Sequence, residues 1–263
     1  MNGELRAGLI LSAFILLLSL TGLFWIPEDY NEMDSVRRFL PPGREHLLGT
    51  DNFGRDVFFR IVVGSRYTIA LAVSTVAGAV ILGSALGLFS GYSGGIIDEI
   101  IMRLMDAISS FPGILFALVM TALLGNSQFT LFAALVILFI PSFTRIMRGG
   151  ALQYKNADFI LAERLLGAGR ARIMFIHILP NLAPPLLSAS ALGLANAILA
   201  ESAMSYLGLG IQPPVPSWGR MLSESQNFLV SAPWCAVAPG VFIMLTVIAF
   251  HCLGEGLRRK GER

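Results

Sequence analysis

Charge is what this 263-residue chain has least of. Only 14% of its residues are Asp, Glu, Lys or Arg, where a soluble domain carries about 25%. With 55% hydrophobic residues and a mean hydropathy of +0.70, it cannot supply the polar surface that a water-soluble fold of this size needs. A soluble globular fold is thereby excluded, and lipid is the solvent for most of the chain. A clustered basic face is missing too. The net charge is +2 and the densest basic run is the tail Arg258, Arg259, Lys260, so nucleic-acid binding has no support. The two cysteines, Cys235 and Cys252, fall in one apolar stretch. In a helix they stand roughly 25 Å apart, too far for a disulfide. The three histidines, His46, His177 and His251, are dispersed and offer no zinc spacing.

Chemical motifs are equally scarce. There is no GxxxxGK[ST] phosphate loop, no HExxH and no GxSxG. No string of acids and bases runs through the apolar segments, as an ion-coupled carrier or channel would need, and there is no internal inverted repeat. Paired acids, a nucleophile or a metal set near one interface, which a membrane-embedded enzyme would need, are missing as well. One ionisable residue stands clearly deep in an apolar segment: Glu201, with Asn196 just over one helical turn before it. Two readings of Glu201 stay open. It is either a carboxylate hydrogen-bonded to Ser202, Ser205 or another helix, or a gate or substrate contact. His177 is isolated and reads as a structural hydrogen-bonding residue rather than a ligand. The ten methionines are scattered and read as core- or lipid-facing.

What the chain does have is apolar stretches of spanning length. Ala7–Ile26, after Arg6, is about twenty residues long. A signal-peptide core is only about 7–15 residues, and this run ends in Phe24, Trp25, Ile26, Pro27, so it reads as a retained first span. Thr68–Ser90, Phe111–Leu124, Phe129–Ile146, Leu182–Leu207 and Ala232–Leu253 follow. The expected fold is an all-α polytopic membrane protein of about six transmembrane helices. Residues 1–67 form the first span and an extracytoplasmic segment, and residues 68–263 form the core. Pro112 is expected in the first turn of the short third span. The excess of Lys and Arg in alternate loops puts both termini on the cytoplasmic side. Gly83, Gly87 and Gly91, and Ala189, Gly193 and Ala197, form small-residue stripes for close helix contact, within the chain or with a partner.

Two connections are longer than compact domains usually use. Pro27–Tyr67 lies outside and Met147–Asn181 inside. The inner one carries Asp158-Phe-Ile-Leu-Ala-Glu-Arg-Leu-Leu-Gly-Ala, whose Phe159, Ala162, Leu165 and Leu166 have amphipathic helical spacing. Asp158 is the expected N-cap and Gly167 the expected terminator.

That run, followed by His177-Ile-Leu-Pro-Asn, resembles the Glu-Ala-Ala loop of type I ABC importer permeases. Aligned on Gly167 and Leu179-Pro180, Leu161, Ala162 and Glu163 occupy the Glu-Ala-Ala positions. The leading Glu is therefore replaced by Leu161, and an acid appears two residues later. Leu48-Gly-Thr-Asp-Asn-Phe-Gly-Arg-Asp56, with Arg60 and Arg66 after it, resembles the outer segment of the second permease subunit of dipeptide, oligopeptide and nickel importers. Ser205-Tyr-Leu-Gly-Leu-Gly-Ile-Gln-Pro-Pro-Val-Pro-Ser-Trp-Gly219 is similar to the outer loop before their last span. Phe59 stands where those proteins often have Ser.

The resemblance implies a non-enzymatic permease subunit that pairs with a homologous second permease. Two cytoplasmic ATPase subunits would carry ATP and Mg, this chain binding no cofactor itself, and an extracytoplasmic solute-binding protein would deliver the solute. It points to Asp158, Phe159, Leu161, Ala162, Glu163, Arg164 and Gly167 for ATPase coupling, while Asn196 and Glu201 are the candidates for the substrate path among the small and polar residues of the middle spans. Short peptides are the expected solute, with nickel or a metal–chelator complex as the alternative, in the cytoplasmic (inner) membrane of a prokaryote.

Overall fold

The computed structural model describes residues 3–24 and 30–261. Among them there is no strand, only an isolated bridge between Thr50 and Asp56. The helices are α1 (Gly3–Phe24), α2 (Val57–Ser93), α3 (Gly95–Ser110), α4 (Gly113–Leu124), α5 (Gln128–Tyr154), α6 (Asp158–Leu165), α7 (Arg170–Arg172), α8 (Leu179–Asn181), α9 (Ala183–Tyr206), α10 (Trp218–Ser225) and α11 (Trp234–Gly261). A π-helical turn, Ile173–Ile178, joins α7 to α8.

Five of these, α1, α2, α5, α9 and α11, are long and apolar enough to cross a membrane. A sixth crossing requires α3 and α4 together, and these are bent from one another by 91°. The third span is thus a short helix preceded by a separate one, not a single rod. Pro112 caps α4 from outside, at the position before Gly113, instead of sitting in its first turn. Its fixed φ and missing N–H suit the corner between the two helices. The expected end of the first span, Trp25 and Ile26, lies outside the described residues.

Helix limits exceed the apolar runs at several ends, and at the start of α2 a polar cap carries the helix past the apolar zone. α2 begins at Val57 rather than Thr68, with the Asp56 carboxylate accepting from the N–H groups of Phe58 (2.8 Å) and Phe59 (3.1 Å). It runs for 37 residues, about 55 Å at 1.5 Å per residue. α5 likewise continues from Ile146 to Tyr154, and α11 from Leu253 to Gly261. The inner connection therefore starts at Lys155.

The bundle is built on the α2–α5 crossing. A Cβ on Gly83 would meet Phe143 Cβ at 2.8 Å, one on Gly87 the Thr144 carbonyl at 2.4 Å, and one on Gly91 the Arg148 carbonyl at 2.6 Å. The glycine stripe is consumed within the chain, and it brings two backbones together as small residues do in membranes. α9 closes on the same pair, with Gly193 facing Phe143 and Val76. α1 lies against α11 and α2, where Gly8 meets the backbone of Leu253 and Gly22 that of Val62. Ile61, Val76, Phe143, Ile198 and Trp218 form the buried centre. Ile10, Leu17, Ile81 and Leu123 point outward, as lipid-facing side chains must.

Candidate functional site

The connection after α5 opens with the short helix α6, held against the C-terminal ends of α2 and α5. Ile160 is its one buried residue, packed with Met147, Ala151, Ile173 and Ile178. Arg164 ties the helix down from another side: its guanidinium lies 5.2 Å over the Tyr92 ring and its Nη2 donates to the Lys155 carbonyl at 3.1 Å. Phe159 packs edge-on to Tyr154. Asp158 is the first helical residue, and Ala157 occupies the cap position without a side-chain bond, which corrects the expected N-cap. At that position the Asp158 carboxylate acts on the helix dipole instead.

The end of α6 is closed as expected. Gly167 has φ +85°, and its N–H donates to the Arg164 carbonyl while that of Ala168 donates to the Glu163 carbonyl, both at 3.0 Å. These two bonds are the Schellman pattern, which needs the left-handed conformation that glycine adopts without strain. Leu165 (90% exposed) and Leu166 (82%) then project from the helix end. Ala162 and Leu161 are exposed beside them. Glu163 turns back toward the chain, its Oε2 lying 3.5 Å from His177 Nε2. The carboxylate displaced from the family's leading position thus faces the π-helical turn.

At the opposite end a charged cap closes over the bundle. Asp51 accepts from the N–H groups of Phe53 (2.8 Å) and Arg55 (3.0 Å), from Arg55 Nε (2.7 Å) and from Arg60 Nη1. Glu224 of α10 accepts from Arg55 Nη2 (3.2 Å) and Arg60 Nη2 (3.0 Å), and Arg220 Nε lies 3.4 Å from its other oxygen. His46 Nδ1 is 2.8 Å from Asp56. Trp218, fully buried, donates to the Ile61 carbonyl at 3.1 Å. The Leu48–Asp56 segment and α10, far apart in sequence, are therefore one structural unit.

Glu201 lies under that unit. It is 0% exposed and accepts from Ser205 Oγ at 2.6 Å, and Ser205 Oγ in turn faces the Ile211 N–H at 3.3 Å. A Cβ on Gly210 would collide with Ser205 Oγ at 2.0 Å, so the turn depends on glycine there. Asn196, by contrast, is exposed on α9. The two residues are not brought together. Among the described residues no group of His, Cys, Asp and Glu could hold a metal ion. Both cysteines are free.

Sequence reasoning did not single out Glu224, which completes the cap from 164 residues beyond Arg60. Nothing local marks it, and only the resemblance of its neighbours to an outer loop points there. Nor did it single out Leu165 and Leu166 as the most projecting apolar side chains of that connection, since amphipathic spacing alone does not say which face is covered.

The comparisons agree with this architecture. The model of the family described as binding-protein-dependent transport system inner membrane component matches residues 83–260. A dipeptide transport system permease protein DppC of Alkalihalophilus pseudofirmus is 41% identical over 251 residues, covering 95% of this chain and 83% of that protein. A glutathione transport system permease protein GsiD of Pectobacterium atrosepticum is 39% identical over 250 residues, covering 93% and 83%. A chain of the MetNI methionine ABC transporter, in an inward-facing conformation, matches with a TM-score of 0.57 at 17% identity over 75% of this chain and 95% of that one, which is a likeness of fold. Helices, loops and sequence converge: this chain belongs to the family of binding-protein-dependent transport system inner membrane components and is a permease subunit, not an enzyme.

Proposed function

We propose that this permease forms half of a translocation path for short peptides across the cytoplasmic membrane of a prokaryote, with both termini inside. A homologous second permease forms the other half. Two cytoplasmic ATPase subunits, which hold ATP and Mg, dock on the inner connection, and an extracytoplasmic binding protein delivers the solute to the capped end. Peptides are favoured because relatives at 37–41% identity over most of the chain carry dipeptide transport names.

One observation carries the coupling assignment: a helix braced by Ile160, Arg164 and the Gly167 turn presents Leu165 and Leu166 outward. A short rigid helix with an uncovered apolar tip can receive a push from a closing ATPase pair and pass it to α5 and α9. Phe159, Leu161 and Ala162 widen that tip. Asp158 faces the same side of the loop, and Glu163, Arg164 and Gly167 fix its shape. Asn196 is the residue proposed for the path, and Glu201 supports the path's outer end through Ser205.

The test is Gly167→Val in the complex reconstituted with its co-purified ATPases and binding protein. A β-branched residue in the left-handed conformation costs roughly 1–2 kcal/mol and unwinds the turn. ATP hydrolysis is expected to persist while uptake of a radiolabelled dipeptide drops at least tenfold. Wild-type coupled uptake in that variant would remove the assignment.

A further inference from the structure

Where α2 ends, a cavity of about 480 Å³ opens between Tyr92 and Ser93 on one side and Arg164, Gly167, Ala168 and Arg170 on the other. Two guanidinium groups and two hydroxyl-bearing residues line it, and no carboxylate does. Arg164 is held in place by the Tyr92 ring and the Lys155 carbonyl, and a guanidinium has five N–H donors, so most of its donors remain available. Arg170 is exposed, and its side chain makes no hydrogen bond or ion pair among the described residues. Lys155 adds a third cation behind them, with Nζ 3.4 Å from the Gly91 carbonyl. Of the carboxylates on the adjoining elements, Asp98 grips Arg148 through two bonds of 2.6 Å, Glu163 faces His177, and Asp158 stands in the first turn of α6, at the far end of that helix from Gly167.

The depth of this cavity follows from its neighbours. α2 is a span that ends at Ser93. α3 leaves at Gly95, bent 91° from α4, with Ile96, Ile97, Ile100 and Leu104 exposed on one face and Asp98, Glu99 and Arg103 elsewhere around it. An amphipathic helix beside the end of a span lies in the bilayer interface, so the cavity opens at the level of the phosphates.

We propose that this cavity binds an anionic, phosphate-bearing headgroup, with Arg164 and Arg170 pairing with the phosphate oxygens and the Tyr92 and Ser93 hydroxyls donating to them. Guanidinium groups match tetrahedral phosphate oxygens with paired, charge-assisted bonds, and basic pockets beside transmembrane helices take such headgroups. Free phosphate shares this chemistry. The exposed isoleucine face of α3 beside the mouth favours the source that carries acyl chains. A headgroup seated there links the end of α6 to the end of α2. The inference rests on the membrane placement of α2 and α3 and not on the coupling reading.

The test is a titration of the full-length chain, in a neutral detergent, with short-chain phosphatidylglycerol, short-chain phosphatidylcholine and inorganic phosphate, read by native mass spectrometry. Arg170→Gln is compared with Arg103→Gln, a surface arginine on α3 that pairs with Glu99; thermal melting verifies that both fold. The expected result is a preference of about tenfold for phosphatidylglycerol over phosphatidylcholine, most of it lost in Arg170→Gln and kept in Arg103→Gln, the size expected for one charge-assisted bond pair. Equal binding of the two lipids, or an unchanged preference in Arg170→Gln, overturns the site. Inorganic phosphate binding as tightly as the lipid keeps the anion site and overturns the lipid as its source. Loss of ATPase subunits from the purified Arg170→Gln complex with lipid binding intact assigns the arginine to a protein contact and overturns the proposal.

Discussion

The two ends of the bundle solve the same problem, exposed polar ends of apolar helices, in opposite ways. At the capped end Asp51, Arg55, Arg60 and Glu224 pair with one another, largely out of water. Burial, and then the neighbouring Arg60, push the Arg55 guanidinium down from its ordinary value, while Asp51 and Glu224 pull it back up. At the other end Arg170 makes no ion pair among the described residues, and the tip leucines Leu165 and Leu166 are exposed. One end is completed by the chain itself, and the other is the end we propose is completed by partner subunits. Damage to the first should therefore appear as lost stability, and damage to the second as lost assembly.

That contrast can be broken from either side. The largest effect is expected from Arg60→Met in the cap. Removing one member of a buried, paired charge set costs about 3–5 kcal/mol, so the purified chain should melt at a clearly lower temperature or fail to accumulate. A melt equal to wild type would mean the cap is only surface decoration. Gly87→Ala tests the frame between the two ends. Its new Cβ falls 2.4 Å from a backbone oxygen of α5, and forcing the helices apart should cost about 1–3 kcal/mol, measured by the same melt. The smallest effect on stability is expected from the double change Leu165→Ser, Leu166→Ser. Both side chains stand in solvent, so each should shift stability by no more than about 0.5 kcal/mol, while co-purification of the ATPase subunits falls sharply. Retention of the ATPases in that variant would remove the distinction between the ends.

Much of this was legible in the sequence, for physical reasons that differ by region. Spans are readable because lipid demands unbroken apolar length, and each of the five long helices contains most of its apolar run. Gly83, Gly87 and Gly91 were readable as a contact face because their spacing keeps them on one side of α2, although whether the partner lay within the chain was not. The Gly167 turn was readable because only glycine sits there without strain. The bend between α3 and α4 was hidden, since hydropathy averages over direction and Pro112 fits both inside and before a helix. Glu224 was hidden because its partners, Arg55 and Arg60, lie on the far side of most of the chain. Glu201 was readable as unusual, but its contact with Ser205 depends on the return of the outer loop, which no local pattern records.

The shortness of α4 bears on how the protein enters the bilayer at all. Its twelve residues measure about 18 Å, against a hydrocarbon core of about 30 Å. Apart from Ala117 and Thr121, its side chains are not buried. A segment of that length cannot match the slab by tilting, which only shortens its reach. The lipid beside it must thin, or another protein surface must cover its ends. Where protein supplies that cover, α4 is a helix that an unassembled copy of the chain would leave exposed to lipid.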